Sequence, residues 1–264
     1  MLDFPEDSAH MIWDDAVVSD TDVITGKELI SVQEIPREGT RLMYSEPRVK
    51  PTSLTGLMAL CLGTVAATQD GVLAAYRQKI TKAASVSLPS IGAQIKYDGG
   101  QQRKLTGLKG ETFTLSFNGP YLQFTNEQIG SGTRPTAADT FPASISESWL
   151  RVGDTKIFVK DTAGTAIVTS GTPVQGSANL GGSEVNLSTR MRGFSVTWTN
   201  NLAPEAGYRA STAKVRGNFH PVRRAGTCQL VFDVDTATEA TEITYYLSQN
   251  KIAVELNCDS GTII

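Results

Sequence analysis

From residue 86 onward, apolar residues recur at every second position. Ile91, Ala93, Ile95 and Tyr97 alternate with polar neighbours and lead into the turn "DGG". Phe113, Leu115 and Phe117 alternate in "ETFTLSFN", and "GP" then turns the chain into "YLQFTNEQI". The same period runs through "TKIFVKD", "RGFSVTWT", "TCQLVFDV" and "KIAVELNC". A period of two sends one side of a strand into a core and the other toward water. Short alternating strands with Gly and Asn turns between them predict an antiparallel sheet protein. A parallel sheet would need a crossover helix after each strand, and no helical pattern separates these. The predicted class is mainly β, an antiparallel β-sandwich or barrel with one short flanking α-helix.

That helix is "LTGLMALCL". Ser53 is placed to cap its start, and Gly63 stands where a left-handed C-terminal cap belongs. Before it, Pro47 and Pro51 hold "YSEPRVKPTS" extended. After it, "DGVLAAYRQKITK" suits a helix by its alanines and a strand by the pattern that follows. Residues 1–46 form an acidic arm with two short β-like runs, "AVVSDTDVI" and "ELISVQEI". Residues 47–264 read as a single β domain. Within it, residues 131–146 are a Pro/Thr/Ala linker, and residues 161–190 are a Gly/Ser/Thr-rich, nearly uncharged insert. The strand "RGFSVTWT" stops on Asn200-Asn201. Asparagine tolerates left-handed backbone and can bond its own chain, so the pair can end the strand and turn the loop.

Composition narrows the class further. Apolar content is 40%, charged content 19% and mean hydropathy −0.15 over 264 residues, the balance of a folded soluble chain. The longest apolar run, near Leu54 to Ala67, is broken by Thr and Gly and is too short for a bilayer. No membrane partner is expected. The start of the chain lacks a basic-plus-apolar leader pattern. Cys61, Cys228 and Cys258 lack C-x-x-C spacing, which with the missing leader fits a reducing compartment. Cys228 and Cys258 fall on the apolar faces of their strands and are expected to be buried. The net charge of −3 leaves no global footprint for nucleic acid. One basic cluster, "RGNFHPVRRAG", carries Arg223 and Arg224, which suit subunit or surface ion pairs.

The search for chemistry ends without a site. "LVFDVDTAT" sets Asp233 and Asp235 as the haloacid dehalogenase-like phosphotransferases set theirs, but Ala237 stands where Thr or Val belongs. No crossover helices surround it, so the plain reading is a strand entering a solvated turn. His10 and His220 have no partner at ligand spacing. Trp149 and Trp198 could serve as sugar platforms but sit in apolar alternation, as core residues do. No catalytic, cofactor or metal site is predicted, and the chain is expected to work by assembling.

"GFSVTWTNNLAPEAGYR" resembles a pattern in the tail tube (major tail) proteins of long-tailed bacteriophages. There, an F-S-hydrophobic-T strand meets N-N-hydrophobic and a loop ending near Gly-Tyr-Arg. Three more segments are similar, in the family's order. They are "EPRVKPTSLTGLMALCLG", "SVSLPSIGAQIKYDGGQQRKLTGLKGETFTLSFN" and "YLQFTNEQIGSGTRPT". Together the four cover about half of the chain. Two departures stand out: the insert at 161–190 is long, and the sequence ends soon after "KIAVELNCDSGTII", where the resemblance implies a further C-terminal strand, either reduced here or outside this sequence.

The resemblance implies a β-sandwich or barrel whose copies form six-membered rings. Inner-sheet strands would line a channel, and stacked rings would form a tube in the virion tail, assembled in the host cytoplasm. It also tips "DGVLAAYRQKIT" toward strand. DNA would pass through the lumen without stable binding, and the Thr and Ser positions opposite the apolar faces suit such a wall. Implied partners are further copies, a tape-measure protein and tail-end proteins. Candidate interface residues are Asn200, Asn201, Arg223 and Arg224, with Thr165, Val168 and Val185 from the insert. The insert itself reads as a hairpin projecting toward a neighbouring subunit. Alternative readings are a tail-end or baseplate ring protein on the same fold, a carbohydrate-binding sandwich using Trp149 or Trp198, and a phosphatase using Asp233 and Asp235.

Overall fold

The computed structural model describes residues 9–13, 16–20, 32–37, 40–69, 76–84, 87–96, 102–117, 119–130, 147–161, 180, 184–204, 219–234 and 252–258. The arm contributes β1 (Ala9–Trp13), β2 (Ala16–Asp20) and β3 (Val32–Arg37). β4 (Thr40–Glu46) leads into the helix α1 (Pro51–Leu62), followed by β5 (Gly63–Gln69) and β6 (Tyr76–Lys82). β7 (Ile91–Lys96), β8 (Gln102–Phe117) and β9 (Leu122–Gly130) form a meander. The rest comprises β10 (Thr155–Asp161), β11 (Val185–Asn186), β12 (Met191–Thr199), β13 (Leu202–Pro204), β14 (Phe219–Pro221), β15 (Ala225–Phe232) and β16 (Ile252–Cys258). The second half of the ambiguous stretch, Tyr76–Lys82, is strand, and residues 70–75 lie outside the described residues.

Six strands make the main antiparallel sheet in the order β1-β4-β9-β8-β12-β15, and β7 pairs with the first half of β8. Its register follows the sequence period. Phe113, Leu115 and Phe117 lie opposite Trp198, Val196 and Phe194, and Leu115 and Phe117 lie opposite Phe124 and Leu122 on the other side. All of these point to one face, where Phe124 and Leu122 are fully enclosed. Phe113 stacks on Phe124 and Phe117 on Phe194, with ring centres 5.9 and 6.0 Å apart. Burying each such side chain contributes about 1.5–3 kcal/mol, which is what forces the alternation.

Two layers cover this face. α1 supplies Leu57, Leu60 and Cys61, and a three-stranded sheet, β11-β10-β16, supplies Ile157 with Val254 and Leu256. The result is sandwich-like, with no closed barrel. α1 begins at Pro51, earlier than the Ser53 cap anticipated, because proline presets the first helical φ. Ser53 is buried within the first turn, bonded to Glu46. Glu147 does the capping instead, accepting from the Thr52 N–H at 3.1 Å and from its hydroxyl. Gly63 ends the helix as expected, with φ +102° and its N–H bonded to the Ala59 carbonyl.

Residues 162–179 and 181–183 of the insert lie outside the described residues, so the expected hairpin is described at its second half alone. Val185 and Asn186 pair with Val159 and Phe158 of β10. Leu180 and Leu187 are buried, Leu180 against Phe158 and Ala253. These residues pack on their own subunit rather than projecting from it. The linker at 131–146 lies outside the described residues.

Candidate functional site

The face of the main sheet opposite the core carries a row of hydroxyls across five strands. Thr227 pairs with Thr197, Thr197 with Thr114, Thr114 with Thr125, and Thr125 with Ser45. The Thr114 and Thr197 hydroxyls are 2.9 Å apart and share a hydrogen bond. On one side lies the row Gln229, Ser195, Ser116 and Gln123, and on the other Ala225, Thr199, Thr112, Glu127 and Met43. In these three rows Glu127 is the one ionic side chain, and Arg41 neutralises it at 3.0 Å. The face is therefore wet, regular and nearly without charge.

The same sheet is open at β15. Its side chains run exposed from Ala225 to Gln229, on both faces. The cause is coverage: α1 packs over β8, and among the described residues the core takes in Leu230 of β15 in part but does not cover Cys228. Cys228 is exposed as a result, which corrects the expectation of a buried thiol. It lies opposite Val196 on the core-side face, as the alternation predicts, but the packed core reaches Leu230 of the same strand and stops short of Cys228. Cys258 is half-buried against the core, and Cys61 is fully enclosed. Burial pushes the Cys61 thiol up to about 12.

Asn200 and Asn201 divide the work at the end of β12. Asn200 has no exposed surface. Its amide donates to the carbonyls of Cys61 and Gly110, both at 2.8 Å, and its side-chain oxygen accepts from the Trp198 indole at 3.0 Å. Its own N–H reaches the Glu111 carbonyl at 2.8 Å. Glu111 is the extra residue of a bulge in β8, between Gly110 and Thr112, and its carboxylate accepts from the Leu202 N–H at 2.7 Å. Burial raises the Glu111 pKa. Asn201 adopts φ +48°, and its amide donates to the Arg223 carbonyl at 2.5 Å. Asn200 is thus a brace inside the subunit, while Asn201 turns the chain at the surface.

Of the remaining candidates, Arg223 is exposed beside Asn201. Arg224 is half-buried and donates to the Ala83 carbonyl at 2.7 Å. Val185 is half-buried in β11. Thr165, Val168 and Asp235 lie outside the described residues. Asp233 is held by Arg192 at 2.6 Å, which lowers its pKa.

Trp149 is 42% exposed, which corrects its placement in the core. Arg48 lies over both Trp149 and Tyr121, 5.0 Å from each ring centre, and Tyr121 meets Trp149 edge-on. The cluster was not legible from sequence, because Arg48 and Trp149 are 101 positions apart. Trp198 is half-buried, as its indole bond to Asn200 requires.

A search of curated proteins finds no match. The family model described as phage tail tube protein matches residues 11–263. The regular hydroxyl face, the open sheet edge and the brace at Asn200 are therefore features of a structural component of a virion tail, and the chain belongs to the phage tail tube protein family.

Proposed function

We propose that copies of this chain form stacked six-membered rings, and that the hydroxyl face of the main sheet is the wall of the channel through which DNA passes. The observation that carries this reading is the row from Ser45 to Thr227. Its regularity spans five strands, and its rows hold no unpaired cation. Duplex DNA binds proteins chiefly by releasing counterions as cations neutralise its phosphates. A wall of hydroxyls and amides releases none and hydrates the moving duplex, and Met43 is the one large apolar side chain exposed in these rows. DNA passes such a wall without being held.

The edge of β15 supports the lateral part of the reading. Among the described residues β15 is the end strand of the sheet, and its eight residues of open edge invite pairing with another chain. A neighbouring subunit in the ring would supply the missing strand and cover the Cys228 side. Asn201 and Arg223 lie at the β15 end of this seam. Tape-measure and tail-end proteins are the expected partners at the ends of the tube, and assembly takes place in the host cytoplasm.

A cysteine at Thr125 in a Cys228→Ser background tests the wall. In the dissociated subunit it should react with both a small charged thiol reagent and a large polymer-linked one. In assembled tubes the small reagent should still label it and the large one should not. Equal labelling by both in intact tubes would put this face on the outside.

A further inference from the structure

We infer that the acidic N-terminal arm of one copy docks on the basic β5–β6 and β7–β8 hairpins of a second copy, which makes the joint between copies electrostatic. This rests on the tube reading above. Residues 1–39 hold ten acidic and two basic side chains, whereas residues 40–264 hold 22 basic and 17 acidic. The net charge of −3 thus conceals an arm of −8 and a body of +5. The positive charge is concentrated in turn. Residues 76–109 carry seven basic side chains against one acidic, Asp98, and outweigh the pair Arg223-Arg224.

Arg77, Lys79 and Lys82 stand on the β5–β6 ribbon outside the main sheet, whereas Lys96, Arg103 and Lys104 lie on β7 and β8 within it, and Lys109 is buried against the Phe219 carbonyl. Among the described residues β2 pairs with β3 and β5 with β6, and neither ribbon joins another strand. On β6, Arg77 lies opposite Thr68 and Lys79 opposite Ala66. On the acidic ribbon, Asp20 lies opposite Val32 and Glu34 opposite Val18. Thr64, Val65, Ala66 and Ala67 of β5 are exposed in succession, so both faces of that ribbon are open. A two-stranded ribbon is marginal in water by itself; this one packs on α1 and leaves Val65, Ala66 and Ala67 exposed beside its basic residues.

Within one subunit the two stretches are rooted apart. β1 fastens the arm outside β4, while the basic ribbon leaves from the end of α1, which packs over β8. From β1 to β8 is three strand spacings, roughly 14 Å. That exceeds the screening length of about 8 Å at physiological salt. Among the described residues, the arm strands and the basic hairpins have no extended packing on each other. A second copy brings the complement within range.

The test is charge reversal, read by sedimentation and by negative-stain tube length. Arg77→Glu with Lys79→Glu should raise the critical concentration for assembly at least ~10-fold at low salt. Asp20→Lys with Glu34→Lys should do the same, and all four changes in one chain should restore assembly. Wild-type assembly should weaken comparably between about 0.05 and 0.5 M salt. Tubes that form equally well in every variant and at every salt concentration overturn the contact while leaving the tube intact. Wild-type chain that stays monomeric throughout overturns the tube reading and this joint with it. If the dissociated reversal variants melt well below wild type, the two stretches pair within one subunit and the inference is wrong. A 30-base-pair duplex bound by wild type at micromolar concentration and released by Arg77→Glu with Lys79→Glu would assign the basic ribbons to DNA instead.

Discussion

The Asn200 amide nitrogen lies 2.8 Å from the Cys61 carbonyl oxygen, so the end of β12 is tied to the end of α1 across 139 residues of sequence. The same nitrogen holds Gly110 of β8, and the amide oxygen holds the Trp198 indole. Asn200→Ala leaves three polar groups without this partner in a buried place. Each such group costs about 1–3 kcal/mol, reduced by relaxation. We expect a loss of about 3 kcal/mol, seen as melting roughly 6–12 °C lower by circular dichroism. Asn200→Asp should be worse at neutral pH, because a carboxylate would face two carbonyl oxygens. Melting within about 2 °C of wild type would deny the brace.

Asn201 separates backbone need from side-chain need. At φ +48° a β-branched residue is strained, whereas glycine is not. Asn201→Val should therefore cost about 1–2 kcal/mol. Asn201→Gly should cost less, since it forfeits only the bond to the Arg223 carbonyl. Urea unfolding of both variants orders them, and the reverse order would remove the left-handed turn from the explanation.

These asparagines show how far the sequence could be read. Their turn chemistry was visible because it is local: a strand period that breaks on two residues tolerant of left-handed backbone. The brace was not visible, because Cys61 and Gly110 reach Asn200 only through tertiary packing. The same contrast holds for Cys228. Its place on the core-side face follows from a period of two, but its exposure depends on where the covering layer ends. The threonines of "ETFTLSF" and "FSVTWT" announced a polar face. Their alignment into a single row required the register of five strands.

Gly110 is where α1 comes closest to the sheet. A Cβ there would lie 2.4 Å from the Cys61 sulfur and 2.9 Å from the Cys61 backbone nitrogen. Gly110→Ala must push the helix away or distort the bulge, at a cost of about 1–3 kcal/mol. Adding Cys61→Ala removes the sulfur but not the backbone, so the pair should recover only part of the loss. Full recovery in the double variant would show that the sulfur alone sets the distance.

Glu46 gives stability a pH dependence of known sign. It is 1% exposed, at the end of β4, and accepts from the Tyr44 hydroxyl at 2.5 Å. Burial raises its pKa, and the hydrogen bonds from Tyr44, the Lys50 backbone and Ser53 only partly oppose this. A raised carboxyl pKa means that the folded state binds the proton more tightly than the unfolded chain. Its contribution is therefore fully present below the ordinary value of 4.5 and is lost as pH rises through the folded pKa. Glu46→Gln removes this titration. The stability of wild type relative to Glu46→Gln should fall as pH is raised from about 4 toward 8. Parallel melting curves for the two proteins across that range would show that burial does not control this carboxyl.

The exposed thiol offers a reporter of the seam without any engineering. Cys228 stands on the core-side face of β15, where no covering layer of described residues reaches it. Partial burial raises its pKa, so its thiolate is scarcer at neutral pH than that of a free thiol. It should still react far ahead of Cys61, whose enclosed thiol is pushed up to about 12. In the dissociated subunit, one equivalent of a maleimide should therefore find Cys228 first, faster as pH rises. If a neighbour pairs with the β15 edge, assembly covers this face and labelling of Cys228 should slow by at least ~10-fold, while prior labelling with a bulky reagent should block assembly. Mass spectrometry of digested tubes and subunits reads both effects at the same residue. Equal rates before and after assembly, with tubes still forming from labelled subunits, would place the seam elsewhere on the molecule.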